Sequence, residues 1–221
     1  MLIEVVRKAA AEVPDQPVVI SSSGSETYSD CLRRSEAVAR GLLERGIDRF
    51  GCALAAPEDV VVVAVASSAS GSDACIYPND VDAAGLSGLA ERFSHSVVVT
   101  DGAIELQGCE TVSLEELAST TTEPLAIPER TPVLVLTTGT TGEPKGARHD
   151  WSQLVKAVQS RDPEPGKRWL LAYNLSQFGG VQILLHALAN RATLVAPPTR
   201  RANDVIATIR ERAVTHASAT P

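Results

Sequence analysis

The run Leu134–Gly146, LVLTTGTTGEPKG, concentrates the residues most able to hold an anion: an apolar strand leads into four threonines, three glycines and a lysine. Glycines let successive backbone N–H groups turn toward phosphate oxygens with no Cβ in the way. Thr137, Thr138, Thr140 and Thr141 add hydroxyls that can donate to phosphate or offer oxygen to a hydrated Mg²⁺. Lys145 brings a compact positive charge, and Pro144 stiffens the backbone leading to it.

The spacing is not that of the common P-loop, G-x-x-x-x-G-K-[ST]. Gly139 and Gly142 are three apart, and Lys145 follows the second glycine by three. The segment instead resembles, position by position, the signature T-[ST]-G-[ST]-T-G-x-P-K-G of the adenylate-forming superfamily of acyl- and aryl-CoA synthetases, luciferases and peptide-synthetase adenylation domains. All ten positions from Thr137 to Gly146 fit. ETYSDCLRRSEAVARGLLERG is similar to that family's T-Y-x-E/D-L helix, and YNLSQFGGVQILLHALANRATLVAPP resembles its substrate-side segment L-P-x-x-H-x-G-G with the helix and strand that follow. THASATP resembles the strand leading into the acyl-pocket half.

The resemblance implies a reaction in which a small carboxylic acid attacks the α-phosphate of ATP, pyrophosphate leaves, and the acyl-AMP is captured by a thiol. CoA is the implied co-substrate, with a carrier pantetheine or an unusual acceptor as the alternative. Thr137, Thr138, Gly139, Thr140, Thr141, Gly142, Lys145 and Gly146 would then grip ATP, with Lys145 in a catalytic role and Thr137 approaching Mg²⁺. Gln177, Phe178, Gly179 and Gly180 would lie near the carboxylate and acyl pocket, the alternative for Phe178, Gly179 and Gly180 being a helix N-terminus packed on a sheet. Two departures stand out. Trp151 occupies the place where the family often has His, with His149 two residues before it and given no catalytic role. Asn174 replaces the usual Pro, and Gln177, which cannot titrate, replaces His or an aromatic. No residue matches the family's adenine segment, Mg²⁺-site Glu, ribose Asp or C-terminal lysine. The expectation is a catalytically incomplete N-terminal portion, or a scaffold module, whose C-terminal domain is supplied in cis or trans.

The elements that must position these residues alternate helix and strand. A helix is expected over Leu2–Val13, a strand–turn–strand over PVVIS and ETYS, and a helix capped by Ser29 with Leu32, Ala39, Leu42 and Leu43 on one face. CALAA and ACIYP predict buried strands; between them the valines of PEDVVVVAVASSASG favour a strand while Pro57 and the acidic residues after it favour a helix start, and a crossover helix is the preferred reading because parallel neighbours need one. VDAAGLSGLAERF reads as a helix and SVVVT as a buried strand, while AIELQ with TVSL suggests a hairpin or edge pair. Beyond the Thr/Pro-rich connector, strands PVLVLTT, RWLLAY and ATLVAPP alternate with helices WSQLVKAVQS, FGGVQILLHALAN and ANDVIATIRERAV. The fold class is α/β, with mixed, largely parallel sheets flanked by helices. The division is residues 1–122 as an N-terminal subdomain, 123–132 as connector and 133–221 as an incomplete phosphate-loop subdomain.

Composition limits the partners. With 44% hydrophobic and 21% charged residues the chain can bury a core, and a formal charge of −7 disfavours nucleic acid and anionic lipid. Arg200, Arg201, Arg210 and Arg212 are diluted by Asp204 and Glu211. Cys31, Cys52, Cys75 and Cys109 form no CxxC pair and read as reduced core thiols. Without a signal-peptide core or an apolar run long enough to span a bilayer, a cytoplasmic protein with no membrane span is expected.

Overall fold

The computed structural model describes residues 1–102, 104–138, 144–158 and 162–218. In chain order the elements are α1 (Leu2–Glu12), β1 (Pro17–Ile20), β2 (Ser25–Thr27), α2 (Tyr28–Glu44), β3 (Arg49–Ala53), α3 (Pro57–Ser70), β4 (Asp73–Ile76), α4 (Ala83–Phe93), β5 (Val97–Thr100) and β6 (Glu110–Val112). They continue with α5 (Leu114–Leu117), β7 (Pro132–Thr138), β8 (Pro144–Asp150), α6 (Trp151–Val158), β9 (Arg168–Leu170), α7 (Phe178–Ala189), β10 (Thr193–Val195) and α8 (Ala202–Glu211).

Two sheets result, one in the order β2-β1-β10-β9 and the other β6-β5-β3-β4-β7-β8. Every pairing is parallel except β1 with β2 and β7 with β8, as the alternating pattern requires. Strands from both sides of segment 123–132 share each sheet. The helix between β3 and β4 forms as expected, although its valines favour strands. Pro57 stands at its N-terminus, Gly71 ends it in a left-handed conformation, and Val60 to Ala66 are all buried. Burial on every face suits a helix that touches β1 of one sheet and β4 and β7 of the other. Ser68 Oγ inside it accepts the backbone N–H groups of Leu2 and Ile3, fixing the start of α1.

Several local expectations need correction. The cap of α2 is Thr27, not Ser29: the Thr27 side chain accepts the Asp30 N–H, so the helix starts at Tyr28. Leu43 is 50% exposed, off the buried face made by Val38, Ala39 and Leu42. Residues 104–107 form no strand, and β6 runs parallel to β5 rather than closing a hairpin. RWLLAY is a strand only over Arg168–Leu170. Strand β8 was not anticipated, because Pro, Lys and Gly are poor strand formers. As an edge strand opening on Pro144, it needs neither an N–H at its first residue nor an apolar face. Cys31, Cys52 and Cys75 are buried, whereas Cys109 is partly exposed; all four are free thiols.

Beneath the larger sheet, Tyr77 and His95 form a buried polar pair with Oη and Nδ1 2.6 Å apart. Gly51 on β3 makes room for it, since a Cβ there would lie 2.5 Å from the Tyr77 ring. Burial, reinforced by the positive charges of Arg49 and Arg148, lowers the His95 pKa from 6.5 to about 4. Below the unfolded-state value the unfolded chain therefore binds the proton that the folded chain refuses. Stability is complete above about pH 6.5 and falls as pH drops toward 4. We expect this residue to cost about 2 kcal/mol between pH 7.5 and pH 5, from ~1.4 kcal/mol per pKa unit. Urea unfolding at both pH values reads it. His95→Gln should lack this component, and equal losses in both proteins would refute the assignment.

Candidate active site

The site is built where β7 ends. Antiparallel pairing with β8 sets Thr137 opposite Lys145, Leu136 opposite Gly146 and Thr138 opposite Pro144. Directly opposed residues share a face, so Thr137 and Lys145 project together. Both are exposed. The Thr137 hydroxyl donates to the Lys145 carbonyl at 3.1 Å, which commits its proton and leaves lone pairs on Oγ1 to accept or to ligate. Lys145 forms no ion pair among the described residues, so its ammonium is available to an anion. Gly146 has a packing role as well, since a Cβ there would lie 2.7 Å from Leu134 Cδ1. Gly139, Thr140, Thr141 and Gly142 lie outside the described residues.

The hairpin is anchored at its base and along its edge. Asp150 accepts the N–H groups of Thr131 (3.0 Å) and Ser152 (2.8 Å), together with both hydroxyls. Burial alone would raise this carboxyl, but the hydrogen bonds from Ser152 and Thr131 prevail and hold its pKa at about 2. Arg148 reaches across β7 to pair with buried Asp73 at the start of β4. Trp151 is fully buried, its indole N–H donating to Ser67 Oγ at 3.0 Å, so this departure from the family's His is a core contact.

Opposite the hairpin, the segment before α7 comes alongside β7. After β4 has paired with Val133 and Leu134, Gln177 forms a parallel bridge to Leu136 on that side. Asn174 shapes the approach: its side-chain oxygen accepts the Ser176 N–H at 3.1 Å and its carbonyl accepts the Gln177 N–H at 3.0 Å. An Asx turn thus does the work of the proline it replaces. Of the four predicted acid-side residues, Gln177, Phe178 and Gly179 line a cleft of about 880 Å³ together with Leu136 and Thr137. Gly180 does not; it is buried, and a Cβ there would sit 2.1 Å from the Asn174 carbonyl oxygen. A second cleft of about 470 Å³ shares Leu136, Thr137 and Gln177 and adds Pro144 and Arg200. Thr137 therefore stands at the junction of both.

Several contributors were not predicted. His149 stacks on Phe178 with ring centroids 5.4 Å apart, tying the hairpin to α7. Tyr173, Trp169, Gln182 and His186 join the larger cleft, and Arg200 the smaller. Nothing local distinguishes these residues in the sequence, because β9, α7 and the turn after β10 meet only in the folded chain.

The family of AMP-binding enzymes matches residues 6–221. The chain belongs to that family. It is 27% identical over 218 residues to tyrocidine synthase 3 of Brevibacillus parabrevis, an alignment covering 89% of this chain and 3% of that protein. Its fold is that of solved adenylate-forming enzymes. The o-succinylbenzoate-CoA synthetase of Bacillus subtilis, solved with the acyl-adenylate intermediate OSB-AMP, superposes with TM-score 0.75 at 21% identity over 97% of this chain and 61% of that one. The N-terminal subdomain of NpsA from Klebsiella oxytoca, solved with 3-hydroxyanthranilyl-AMSN, gives TM-score 0.84 at 14% identity, with 97% and 59% covered. The chain thus spans less than two thirds of each of these relatives. Among the described residues no helix is long and apolar enough to cross a membrane.

The two glycines at the start of α7 should respond differently to substitution. Gly180→Ala meets backbone and should destabilise by about 1–3 kcal/mol, the usual range for overpacking. Gly179→Ala meets only the Tyr173 ring, at 3.2 Å, and should cost markedly less. Urea unfolding of both variants checks the order, and equal losses would contradict this packing.

Proposed function

We propose that the chain is the ATP-handling part of an enzyme that activates a small carboxylic acid as acyl-AMP, releasing pyrophosphate, and passes the acyl group to a thiol. The observation that supports this best is the register that sets exposed Lys145 opposite Thr137, which lines both clefts together with Gln177. Membership of the AMP-binding family supports an adenine nucleotide as the co-substrate.

In this reading the chain's contribution is positional and electrostatic. Two anions must meet in line while charge gathers on the phosphates, so preset donors supply most of the help. Lys145, exposed and without an ion pair among the described residues, takes the β- and γ-phosphate charge as pyrophosphate separates. By the family signature, the hydroxyls of Thr140 and Thr141 would serve the same phosphates. Gln177 donates its amide toward the substrate carboxylate or the α-phosphate. Gly179 keeps the start of α7 low enough for a substrate to pass close to the backbone.

The donor set suits a magnesium ion that arrives with the nucleotide. Thr137 Oγ1 has lone pairs free, and among the described residues no three His, Cys, Asp or Glu side chains converge to hold a metal by themselves. Thr137 would hold Mg²⁺, which supplies charge neutralisation between the phosphates when bound. For the thiol acceptor we favour CoA. The adenine, ribose and second-half functions, and the C-terminal domain, would come from sequence outside these 221 residues or from a partner.

Lys145→Ala should lower acid-dependent exchange of pyrophosphate into ATP by about 10²–10³-fold, as for removal of one transition-state donor. Its thermal unfolding should be unchanged because the side chain is exposed. Thr141→Ala should impair exchange in the same direction. Unaltered exchange in both variants of the active protein would remove this assignment of the loop.

A further inference from the structure

Helix α7 begins with little local support. Its N-cap, Gln177, makes no side-chain cap bond, and Phe178 is followed by Gly179 and Gly180. Glycine is, after proline, the poorest helix former, so a first turn carrying two of them keeps its shape only when something outside the helix fixes it. Phe178 is 37% exposed and lies outside the hydrophobic cores on either face of the larger sheet. Yet Gln177, whose amide faces the cleft on the acid side, is joined directly to this turn.

Two contacts hold it, one on each side of β7. The Gln177 backbone bridges Leu136 on the side away from β8. On the other side His149 of β8 stands opposite Val133, and its ring stacks on Phe178 with centroids 5.4 Å apart and planes at 30°. Gln177 and Phe178 thus straddle β7, and the Phe178 side chain reaches across that strand to the hairpin. Strand alternation says what else the hairpin presents there. Residues two apart share a face, so Lys145, Ala147 and His149 project together, on the face that carries Thr137, Val135 and Val133. Val133 and Val135 pack in the same core as Val181 and Leu184 of α7, and α7 touches β7. The strand that bears Lys145 is therefore the one to which His149 ties the start of α7.

Resting on the adenylate-forming reading above, we propose that His149 is a positioning residue. By stacking on Phe178 it fixes the first turn of α7 to the hairpin, and so sets where Gln177 stands relative to the phosphates that Lys145 meets. What it contributes is a flat ring rather than a proton, because an offset ring contact is open to any aromatic side chain. Two anions must be brought into line, and a misplacement of about 1 Å between the groups that hold them costs rate more than affinity.

The test is pyrophosphate exchange in the active protein with the best of acetate, hexanoate, benzoate and L-phenylalanine. His149→Ala should lower kcat about tenfold while KM for ATP and for the acid moves by less than about twofold, and His149→Phe should restore about half or more of the parent kcat. A group that transferred a proton would be lost equally in both variants. Equal losses in the two, a loss confined to KM, or an unmoved kcat in His149→Ala overturns the proposal. A second readout does not depend on adenylation. The Gln177 N–H donates to the Asn174 carbonyl and the Val181 N–H to the Gln177 carbonyl, so amide hydrogen exchange of the protein without ligands reports on this turn. Exchange at both amides should quicken about three- to tenfold in His149→Ala, the range one aromatic contact is worth, and keep the parent rate in His149→Phe. Should none of the four acids support pyrophosphate exchange, the adenylation reading fails and the amide rates decide the role of His149. Unchanged rates in His149→Ala overturn it.

Discussion

The backbone of Leu136 is engaged on both sides, and the site depends on that. On one side β8 pairs with every residue of β7, which carries Lys145 to the place opposite Thr137. On the other, β4 stops after Leu134 and Gln177 moves in beside Leu136. A phosphate-side hairpin and an acid-side turn are thereby fixed to the same short stretch of strand. Backbone hydrogen bonding tolerates little drift, so the distance between the two halves of the site is set by the sheet rather than by flexible side chains.

The surroundings serve that junction. Asp150 closes the base of the hairpin with four hydrogen bonds, and Asp73 holds Arg148 across β7. Gly180 lets α7 start against the Asn174 carbonyl, where any side chain would force the turn outward. Buried α3, touching strands of both sheets, makes the two layers one packed body. His149 on Phe178 adds a lateral contact between hairpin and helix. Each of these groups is spent on geometry, while Thr137 Oγ1, Lys145 and Gln177 are left facing open space.

The sequence by itself determined a good deal. Alternation of apolar runs with amphipathic segments established α/β architecture with mostly parallel strands, because a parallel pair requires a crossover and the crossovers are visible as helices. It also established the family, since ten consecutive positions from Thr137 to Gly146 fit one signature. Both are local properties: a period, or a run of contiguous residues, needs no knowledge of what lies opposite. Where local signals compete, the reading was less secure. Ser29 and Thr27 are both able caps, and only the backbone conformation selects Thr27. Strand β8 has the composition of a loop and becomes a strand because β7 offers it an edge.

Only the tertiary structure decided which residues share the site. Trp169, His186 and His216 lie far apart in sequence and become one ring stack through a sheet bridge and a neighbouring helix, with Trp169 and His186 lining the cleft. Gly180 sits next to Gly179 in the chain, yet one packs on backbone and the other lines the cleft. His149 and Trp151, two residues apart, likewise part company, one stacking beside the site and the other donating to Ser67 in the core. The physical reason is that local propensity acts through neighbours in the chain, whereas a binding surface is made of neighbours in space. Those are chosen by strand order and register, which a single sequence does not state.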